Sequence, residues 1–394
     1  MASPNLPRTC RALVYTGPDK PLELQTIPVP DAVPGSIIVN VIVTGVEHSM
    51  GNIISGKVHG ITVPSPSIPG TRAIGRVAAL GPDTTSFSVG QLVMMEPFVR
   101  ARDNPDSAFL WGAGVFGTDA GALKLSQESW ANGLWAEYVR APLENCYALN
   151  EKRLCGSSAD GGLGYSITEL STLPKHLVGY GGLRGINLQA GETIIVAPAT
   201  GVYSGAAVDV ACAMGARVIA VSRNLKELEK IAAMNPRVEI VQLKGNAEED
   251  LANIKKFGTV DAYIDISPAV ANESTHVRSC MAAVKPYGRV SLVRISLCLL
   301  SISAKKFLKM GVLMKDIAIP YVSVVINNLT IRGQYMYERD DARDLIKLVE
   351  AGVLKIGRSV GHEVVGEFAL QDWQKAIEVA SATSGAGRLV VLKP

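Results

Sequence analysis

Hydroxyl and basic side chains follow a short apolar run at residues 217–221, and their types suit the binding of a phosphate group. The run ends in Ser222 and Arg223, and Lys226 follows three residues later. A guanidinium binds a phosphate through two parallel hydrogen bonds, and it stays charged at any physiological pH. The first acidic residue after the run is Glu227. The pattern therefore favours a phosphate site, with an arginine that only faces solvent as the alternative.

Small residues precede this site and predict the element that positions it. Residues 193–197 form an apolar run typical of a parallel strand that is buried on both faces. A turn of small residues follows at 199–201, and apolar residues at helical spacing then lead to Gly215. The order of strand, turn, helix and strand predicts the first half of a dinucleotide-binding unit. We assign the residues of the turn to cofactor binding: Thr200, Gly201, Val202, Tyr203 and Ser204.

The glycine turn departs from the usual G-x-G-x-x-G pattern. It contains Gly201 and Gly205, and Ser204 stands near the place where close packing of helix and strand favours a residue without a Cβ. An ordinary strand-to-helix turn is the alternative. A site for NAD usually has an acidic residue at the end of the second strand, whereas Arg223 suits the 2′-phosphate of NADP. We therefore predict an NADP(H) site, and we include Ser267 among its residues.

Composition limits the class of protein. The 394 residues are enough for two domains, and 47% apolar with 19% charged residues is typical of a globular chain. A net charge of +3 without a long basic run argues against a nucleic-acid partner. We find no signal peptide and no apolar segment of membrane-spanning length, so we expect a cytoplasmic protein without a membrane partner. The six cysteines never occur at C-x-x-C spacing, which favours isolated reduced thiols.

The pattern along the chain divides it into two domains. Alternating apolar and polar residues predict a β-rich part at 1–165, with a loop or lobe at 99–130. From residue 170, helical and strand patterns alternate and predict a doubly wound parallel sheet. The predicted fold class is α/β. It consists of a Rossmann domain at 166–337 and a β-rich catalytic domain that residues 338–394 complete.

The order of these elements resembles the medium-chain dehydrogenase/reductase superfamily over nearly the whole chain, from about residue 11 to residue 393. The resemblance implies a small-molecule substrate in the cleft that faces the nicotinamide. It also implies a homodimer through the edge strand of the nucleotide domain, which we place at residues 320–332. The sequence pieces that carry the resemblance are Pro69-Gly70, Gly133–Val139, Gly191–Thr193, Lys285-Pro286, Gly288–Val290 and Asn328–Gly333.

The same resemblance bears on metal binding. Zinc-dependent members have a cysteine after a Gly-Ile/Val pair and a His-Glu pair after a glycine. Here Glu47 follows Gly45-Val46, and Thr71-Arg72 follows Gly70. The lobe contains no cysteine for a structural zinc, and Glu47 and His48, as neighbours on a strand, would face opposite sides. We therefore expect no metal and a place in the zinc-independent branch, which contains the quinone and enoyl reductases.

Catalysis without a metal relies on positioned hydrogen-bond donors. The resemblance places Ser49 where zinc enzymes have the hydroxyl of a proton relay, and Asn52 where some quinone reductases have a tyrosine. His48 suits acid–base chemistry near neutral pH. Tyr180 precedes the nucleotide domain and is a further candidate for the cleft. The alternative for each of the four is a pocket lining or an ordinary surface group.

These features predict reduction of an α,β-unsaturated carbonyl compound or a quinone by NADPH, and analogy suggests a role in secondary metabolism. One alternative is an alcohol or ketone dehydrogenase without zinc. Another is a protein that binds NADPH without turnover, which the Ser204 substitution and Arg294 favour. Residues 294–318 lengthen a connection that is shorter in the family, and we interpret them as a lid, an interface segment or a non-native insertion.

Overall fold

The computed structural model describes residues 6–268, 274–293 and 319–394. The interpretations of Arg294 and of the segment 294–318 lie outside the described residues. The strands of the described part are, in chain order, β1 (Thr9–Val14), β2 (Glu23–Pro28), β3 (Ser36–Gly45), β4 (Ile61–Thr62), β5 (Ala73–Leu80), β6 (Leu92–Met95), β7 (Phe98–Arg100), β8 (Ala108–Leu110), β9 (Val115–Phe116), β10 (Tyr138–Pro142), β11 (Cys146–Ala148), β12 (Thr193–Ala197), β13 (Arg217–Ser222), β14 (Val238–Gln242), β15 (Val260–Asp265), β16 (Val284–Val293), β17 (Thr330–Gln334), β18 (Glu363–Ala369) and β19 (Arg388–Lys393).

The helices connect these strands and cover the second sheet. In chain order they are α1 (Met50–Ile54), α2 (Ala120–Lys124), α3 (Glu151–Cys155), α4 (Ile167–Leu170), α5 (Leu173–Gly185), α6 (Val202–Ala213), α7 (Leu225–Met234), α8 (Ala247–Lys255), α9 (His276–Ala283), α10 (Tyr321–Ile326), α11 (Arg339–Glu350) and α12 (Trp373–Ala382). None of the described helices has the length and apolar character that a membrane crossing requires.

A six-stranded parallel sheet forms the predicted doubly wound domain. Its strand order is β14-β13-β12-β15-β16-β17, and every neighbouring pair is parallel. Ile194 and Val196 of β12 pack into the core with α5 and α6, whereas Ile195 and Ala197 pack into the core on the opposite face with α9. Burial on both faces explains why β12 is apolar throughout. The predicted fold of this part is confirmed.

The β-rich sheet has the order β11-β6-β5-β3-β19-β18, and β10 also pairs with β3. The C-terminal strand β19 pairs antiparallel with β3 through Val391 opposite Gly45 and Leu392 opposite Thr44. The end of the chain therefore completes the sheet that its beginning starts, as predicted. This pairing also brings the C-terminal residues to the turn that follows β3.

The segment 99–130 is more regular than a loop. Strand β7 pairs with β8, strand β9 pairs with β4, and helix α2 follows them. These strands have only two or three residues. Alternation of apolar and polar residues becomes recognisable over about four to eight residues, so strands of this length leave no periodic signal.

The segment 320–332 was predicted as an apolar edge strand, and this was partly wrong. Residues Tyr321–Ile326 form helix α10, and only Thr330–Gln334 form the edge strand β17. The β-branched residues of the segment favour a strand by propensity, but tertiary context overrides such a preference in a short segment. The cysteines of the described part are free thiols, as expected, and only Cys155 among them is not fully buried.

Candidate functional site

The turn between β12 and α6 forms a helix N-terminus that suits an anion. Gly201 precedes the helix, and its N–H donates to the Ser204 Oγ at 3.1 Å. The first N–H groups of α6 have no acceptor within the helix, and they point with the helix dipole toward the turn. Ser204 is accommodated because its hydroxyl turns back to Gly201. The residue of this turn that must lack a side chain is Gly205, because a Cβ there would overlap Ala386.

The two hydroxyl residues predicted for the cofactor site meet each other. The Thr200 and Ser222 hydroxyls form a hydrogen bond of 2.8 Å between the turn and the end of β13. Arg223 and Lys226 are exposed beside them. The first carboxylate beyond, that of Glu227, accepts hydrogen bonds from Lys230 at 2.8 Å and Arg388 at 3.1 Å. The end of β13 therefore presents two exposed cations, and the binding of a 2′-phosphate by them stays a prediction.

Ser267 lies at the same edge of the sheet, because β15 is the neighbour of β12. Its hydroxyl is turned inward, where it donates to the Asp265 carboxylate at 3.0 Å and lies 2.8 Å from His276 Nε2. The Tyr263 hydroxyl donates to the same carboxylate at 2.5 Å. Ser267 thus belongs to a buried polar cluster that the sequence did not reveal, and its part in cofactor binding stays a prediction.

A buried ion pair is formed by two residues at the sequence positions where the resemblance would place zinc ligands. The Arg72 guanidinium pairs with the Glu47 carboxylate, and the two residues are 2% and 7% exposed. Burial lowers the pKa of Arg72 to about 10, so the side chain remains a cation at neutral pH. Its Nε and Nη2 atoms, and the Thr71 hydroxyl, are buried and have no hydrogen-bond partner within the described residues.

The residues present do not fit the catalytic zinc of the family. A zinc ion requires thiolate, neutral imidazole or available carboxylate ligands. The Glu47 carboxylate is already paired with Arg72. The buried guanidinium would also repel a metal cation that bound the same carboxylate. Glu47 and His48 also do not lie on a strand, as the sequence analysis assumed, because β3 ends at Gly45 and both residues belong to the turn before α1.

A second buried basic side chain lies beside this pair. Lys175 of α5 is 5% exposed, and its Nζ donates to the backbone carbonyl of Arg388 at 3.0 Å. Burial, and then the charge of Arg72, lower the pKa of Lys175 well below its ordinary value. Tyr203 of α6 is near enough to Arg72 for the guanidinium to oppose the rise in the tyrosine pKa that burial causes. We call Arg72, Lys175 and Glu47 the buried charge cluster.

His48 lies next to the buried charge cluster. It lines a cavity of about 20 Å³ together with Glu47, Lys175, Val202 and Arg388. A space of that size holds a single water molecule. The rest of the His48 side chain is exposed, and partial desolvation and then the charge of Lys175 lower the pKa of His48.

The other catalytic candidates are distributed over two places. Ser49 is half-buried directly before α1, next to His48, whereas Asn52 of α1 is exposed. Tyr180 of α5 is buried, and the Arg184 guanidinium lies 5.7 Å from the centre of its ring. The structure therefore brings His48 to the buried charge cluster, places Ser49 next to His48 at the start of α1, and leaves Tyr180 beside Arg184. The catalytic roles of these four residues stay predictions.

The sequence analysis did not single out Lys175. A signal was present, because residues 173–183 of α5 are buried without interruption. In a helix that is buried on all sides, an ionisable residue is rare and needs a partner or a function. The run of small and apolar residues around Lys175 and His176 could have indicated this.

Comparisons with known proteins agree with the fold. Residues 33–151 match the alcohol dehydrogenase GroES-like domain family. The chain is 25% identical to an L-arabinitol 4-dehydrogenase of Hypocrea jecorina, over 92% of this chain and 86% of that protein. It is 22% identical to a sorbitol dehydrogenase of Bacillus subtilis, over 95% of this chain and 94% of that protein.

A solved structure shares the fold over almost the entire length. The cobalt- and zinc-bound thermostable alcohol dehydrogenase of Pyrobaculum aerophilum superposes with a TM-score of 0.66 at 20% identity, over 98% of this chain and 100% of that chain. The fold of this chain is therefore that of the alcohol dehydrogenases, with a GroES-like domain beside the nucleotide-binding sheet. The chain is thus similar to alcohol and polyol dehydrogenases in one domain, in relatives of 22–25% identity and in its fold.

Proposed function

We propose that the protein is a zinc-independent, NADPH-dependent reductase of an α,β-unsaturated carbonyl compound or a quinone. The observation that carries the proposal is the buried Glu47–Arg72 ion pair. The resemblance would place zinc ligands at these two sequence positions. Arg72 provides a fixed positive charge there, so the polarising role of a metal falls to a side chain of the chain itself. NADPH, when bound, supplies the hydride.

The buried charge cluster provides what such a reduction needs. A carbonyl oxygen gains negative charge as the hydride reaches the β-carbon, and preorganised donors in a site of low dielectric stabilise that charge. Arg72 has two N–H-bearing nitrogen atoms without a partner in the described residues. Lys175, with its lowered pKa, is a suitable proton donor, and His48 reaches the same small cavity. The products are a saturated carbonyl compound or a hydroquinone.

The preference for NADPH rests on the end of β13. Arg223 and Lys226 are exposed there, and the nearest carboxylate, Glu227, is already paired with Lys230 and Arg388. A 2′-phosphate would meet two cations, whereas the ribose hydroxyls of NADH would lack the usual carboxylate partner.

Two alternatives remain distinct from this proposal. The named activities of the relatives favour an alcohol or polyol dehydrogenase. In that case the buried charge cluster would polarise the carbonyl group that is itself reduced. A protein that binds NADPH without turnover is the second alternative, and the departure of the turn from the usual glycine pattern at Ser204 is the reason to test it.

Thermal unfolding with NADPH and separately with NADH tests the cofactor assignment first. A ligand that binds only the folded state stabilises it by about 2.7 kcal/mol at a hundredfold excess over its dissociation constant. We expect a clear rise in the unfolding temperature with NADPH and little with NADH.

Turnover assays with enones, quinones, ketones and polyols then distinguish the reactions, because one saturates a C=C bond and the other interconverts C=O and C–OH. We expect the C=C or quinone activity to survive a strong chelator. Polyol oxidation that the chelator abolishes would overturn the proposal.

We also propose a cytoplasmic homodimer. Strand β17 is the edge of the parallel sheet, and exposed apolar residues lie on the neighbouring strand and on the helix before it, namely Tyr287, Tyr321, Val322, Val325 and Ile326. Edge strands and contiguous exposed apolar patches commonly form protein–protein interfaces. Light scattering should give twice the chain mass, and a monomer at working concentration would contradict this.

Fractionation of cells would test the proposed cytoplasmic location. Deletion of the gene, followed by metabolite profiling, would test a role in secondary metabolism.

A further inference from the structure

Two histidines and an aspartate from three separate elements meet at a second place in the molecule. His176 lies on α5, Asp209 on α6, and His362 directly before β18. One potential ligand atom from each residue lies within 4.8 Å of the others. The Asp209 Oδ2 atom is 3.3 Å from His176 Nε2 and 3.0 Å from His362 Nε2. We call these three residues the His-Asp-His cluster.

The hydrogen bonds of this cluster do not balance for neutral histidines. His176 is fully buried, and its Nδ1 faces the Thr172 carbonyl oxygen at 3.2 Å while its Nε2 faces the Asp209 carboxylate. Both partners are acceptors, and a neutral imidazole carries only one N–H group. One of the two contacts therefore sets lone pair against lone pair. Either an additional proton or a cation must lie between His176 and Asp209.

We propose that His176, Asp209 and His362 bind a divalent transition-metal ion of the zinc class. Imidazole and carboxylate are ligands that such ions prefer. The contact from His176 Nδ1 to a backbone carbonyl is the outer hydrogen bond that commonly orients a metal-binding histidine. A tetrahedral ion with ligands at about 2.0–2.1 Å holds its ligand atoms about 3.3 Å apart. The distances of 3.3 Å and 3.0 Å from the two histidines to Asp209 are close to that value.

The surroundings leave room for a further ligand. Asp209 and His362 line a cavity of about 280 Å³, whose wall also contains Glu227, Lys230 and Arg388. Water or a small anion can therefore complete the coordination from this side. The buried His362 Nδ1 atom has no hydrogen-bond partner within the described residues, so either ring nitrogen can turn to the ion.

The position of the cluster suggests what the ion does. Helices α5 and α6 cover the parallel sheet, whereas β18 belongs to the β-rich sheet. An ion held by His176 and Asp209 on one side and His362 on the other would join the two domains. The cluster consists of other residues than the Glu47–Arg72 pair, and its metal site does not depend on the proposed reductase activity.

Metal titration of the chelator-treated, full-length protein tests the proposal. With Co²⁺ we expect one ion per chain, visible absorption bands of a four-coordinate cobalt site, and a rise in the unfolding temperature. Zn²⁺ should displace the cobalt and remove the bands. His362→Gln, which alters a residue at the surface of the cluster, should weaken binding by about a hundredfold, and Asp209→Asn should do the same.

His59→Gln is the matched control, because His59 lies in the β-rich domain outside the cluster. It should leave stoichiometry, spectrum and thermal shift unchanged. Binding that survives in both cluster variants would overturn the proposal. So would a folded, unaltered protein that binds neither ion up to millimolar concentration, and a protonated histidine beside Asp209 would then explain the contacts. The measurements on the unaltered chain decide the question even if a variant fails to fold.

Discussion

Arg72 reaches its partner Glu47 through space that Gly45 leaves open. A Cβ at Gly45 would overlap the guanidinium group of Arg72, and the pair itself is enclosed by the β-rich domain. The three residues therefore depend on one another: the glycine provides room, the arginine fills it, and the glutamate neutralises the charge. This arrangement explains how a buried cation is accommodated at this position of the fold.

Removing the negative partner should destabilise the protein strongly. Glu47→Gln leaves the Arg72 charge buried and unpaired, which typically costs about 3–5 kcal/mol of unfolding free energy. Glu151→Gln is the control, because Glu151 pairs with Arg76 at the surface, where such pairs contribute about 1 kcal/mol or less. Urea unfolding of both variants measures the difference. Equal losses would mean that the buried pair contributes no more than a surface pair.

A single methyl group at Gly45 should have a similar consequence. Gly45→Ala forces Arg72 to move, and overpacking of this kind costs about 1–3 kcal/mol. Gly333→Ala is the matched control, because Gly333 also lies in a strand and an added Cβ meets no atom within 4 Å. Differential scanning calorimetry should show a lower melting temperature for the first variant only. A stable Gly45→Ala protein would argue against the close contact.

Arg223 should determine the choice of cofactor. Arg223→Ala removes hydrogen bonds to the 2′-phosphate, and bonds to charged groups contribute about 1.5–3 kcal/mol. Fluorescence titration should therefore show about a tenfold to hundredfold weaker NADPH binding, with NADH binding little changed. Arg278→Ala, at an exposed arginine of α9, should alter neither affinity. An unchanged NADPH affinity in Arg223→Ala would mean that Arg223 only faces solvent.

Stability should depend on pH through Glu96. This carboxyl group is 2% exposed and accepts hydrogen bonds from Tyr337 at 2.5 Å and from the Phe98 N–H at 2.7 Å. Burial raises its pKa from 4.5 to about 7. The folded state therefore holds the proton more tightly than the unfolded state, so the stabilisation is complete below about pH 4.5 and is lost as the pH rises to 7.

The Glu96 contribution to the unfolding free energy changes by up to about 3 kcal/mol over this range. Urea unfolding at pH 5.5 and pH 8 measures it. Glu96→Gln cannot titrate, so its loss of stability between the two pH values should be smaller than that of the unaltered protein. The same loss in both proteins would assign the dependence to other groups.

Much of the fold could be predicted because burial leaves local patterns. Strand β12 has the predicted bounds, since both faces of a central parallel strand are covered and every residue is apolar. The helix ending near Gly215 and the order of strands and helices followed from periodicity in the same way. The short strands between residues 98 and 116 and the helix at Tyr321–Ile326 escaped prediction, because so few residues show no period.

The sequence by itself determined the doubly wound domain, the completion of the β-rich domain by the end of the chain, and the basic residues after β13. Each of these depends on neighbours along the chain. Only the tertiary structure decided that Arg72 pairs with Glu47, that Lys175 is buried beside them, and that Asp265, Ser267 and His276 form a cluster. It also decided that His176, Asp209 and His362 meet. Polar side chains from distant segments share no spacing, and they come together only when α5 packs on α6 and β18 pairs with β19.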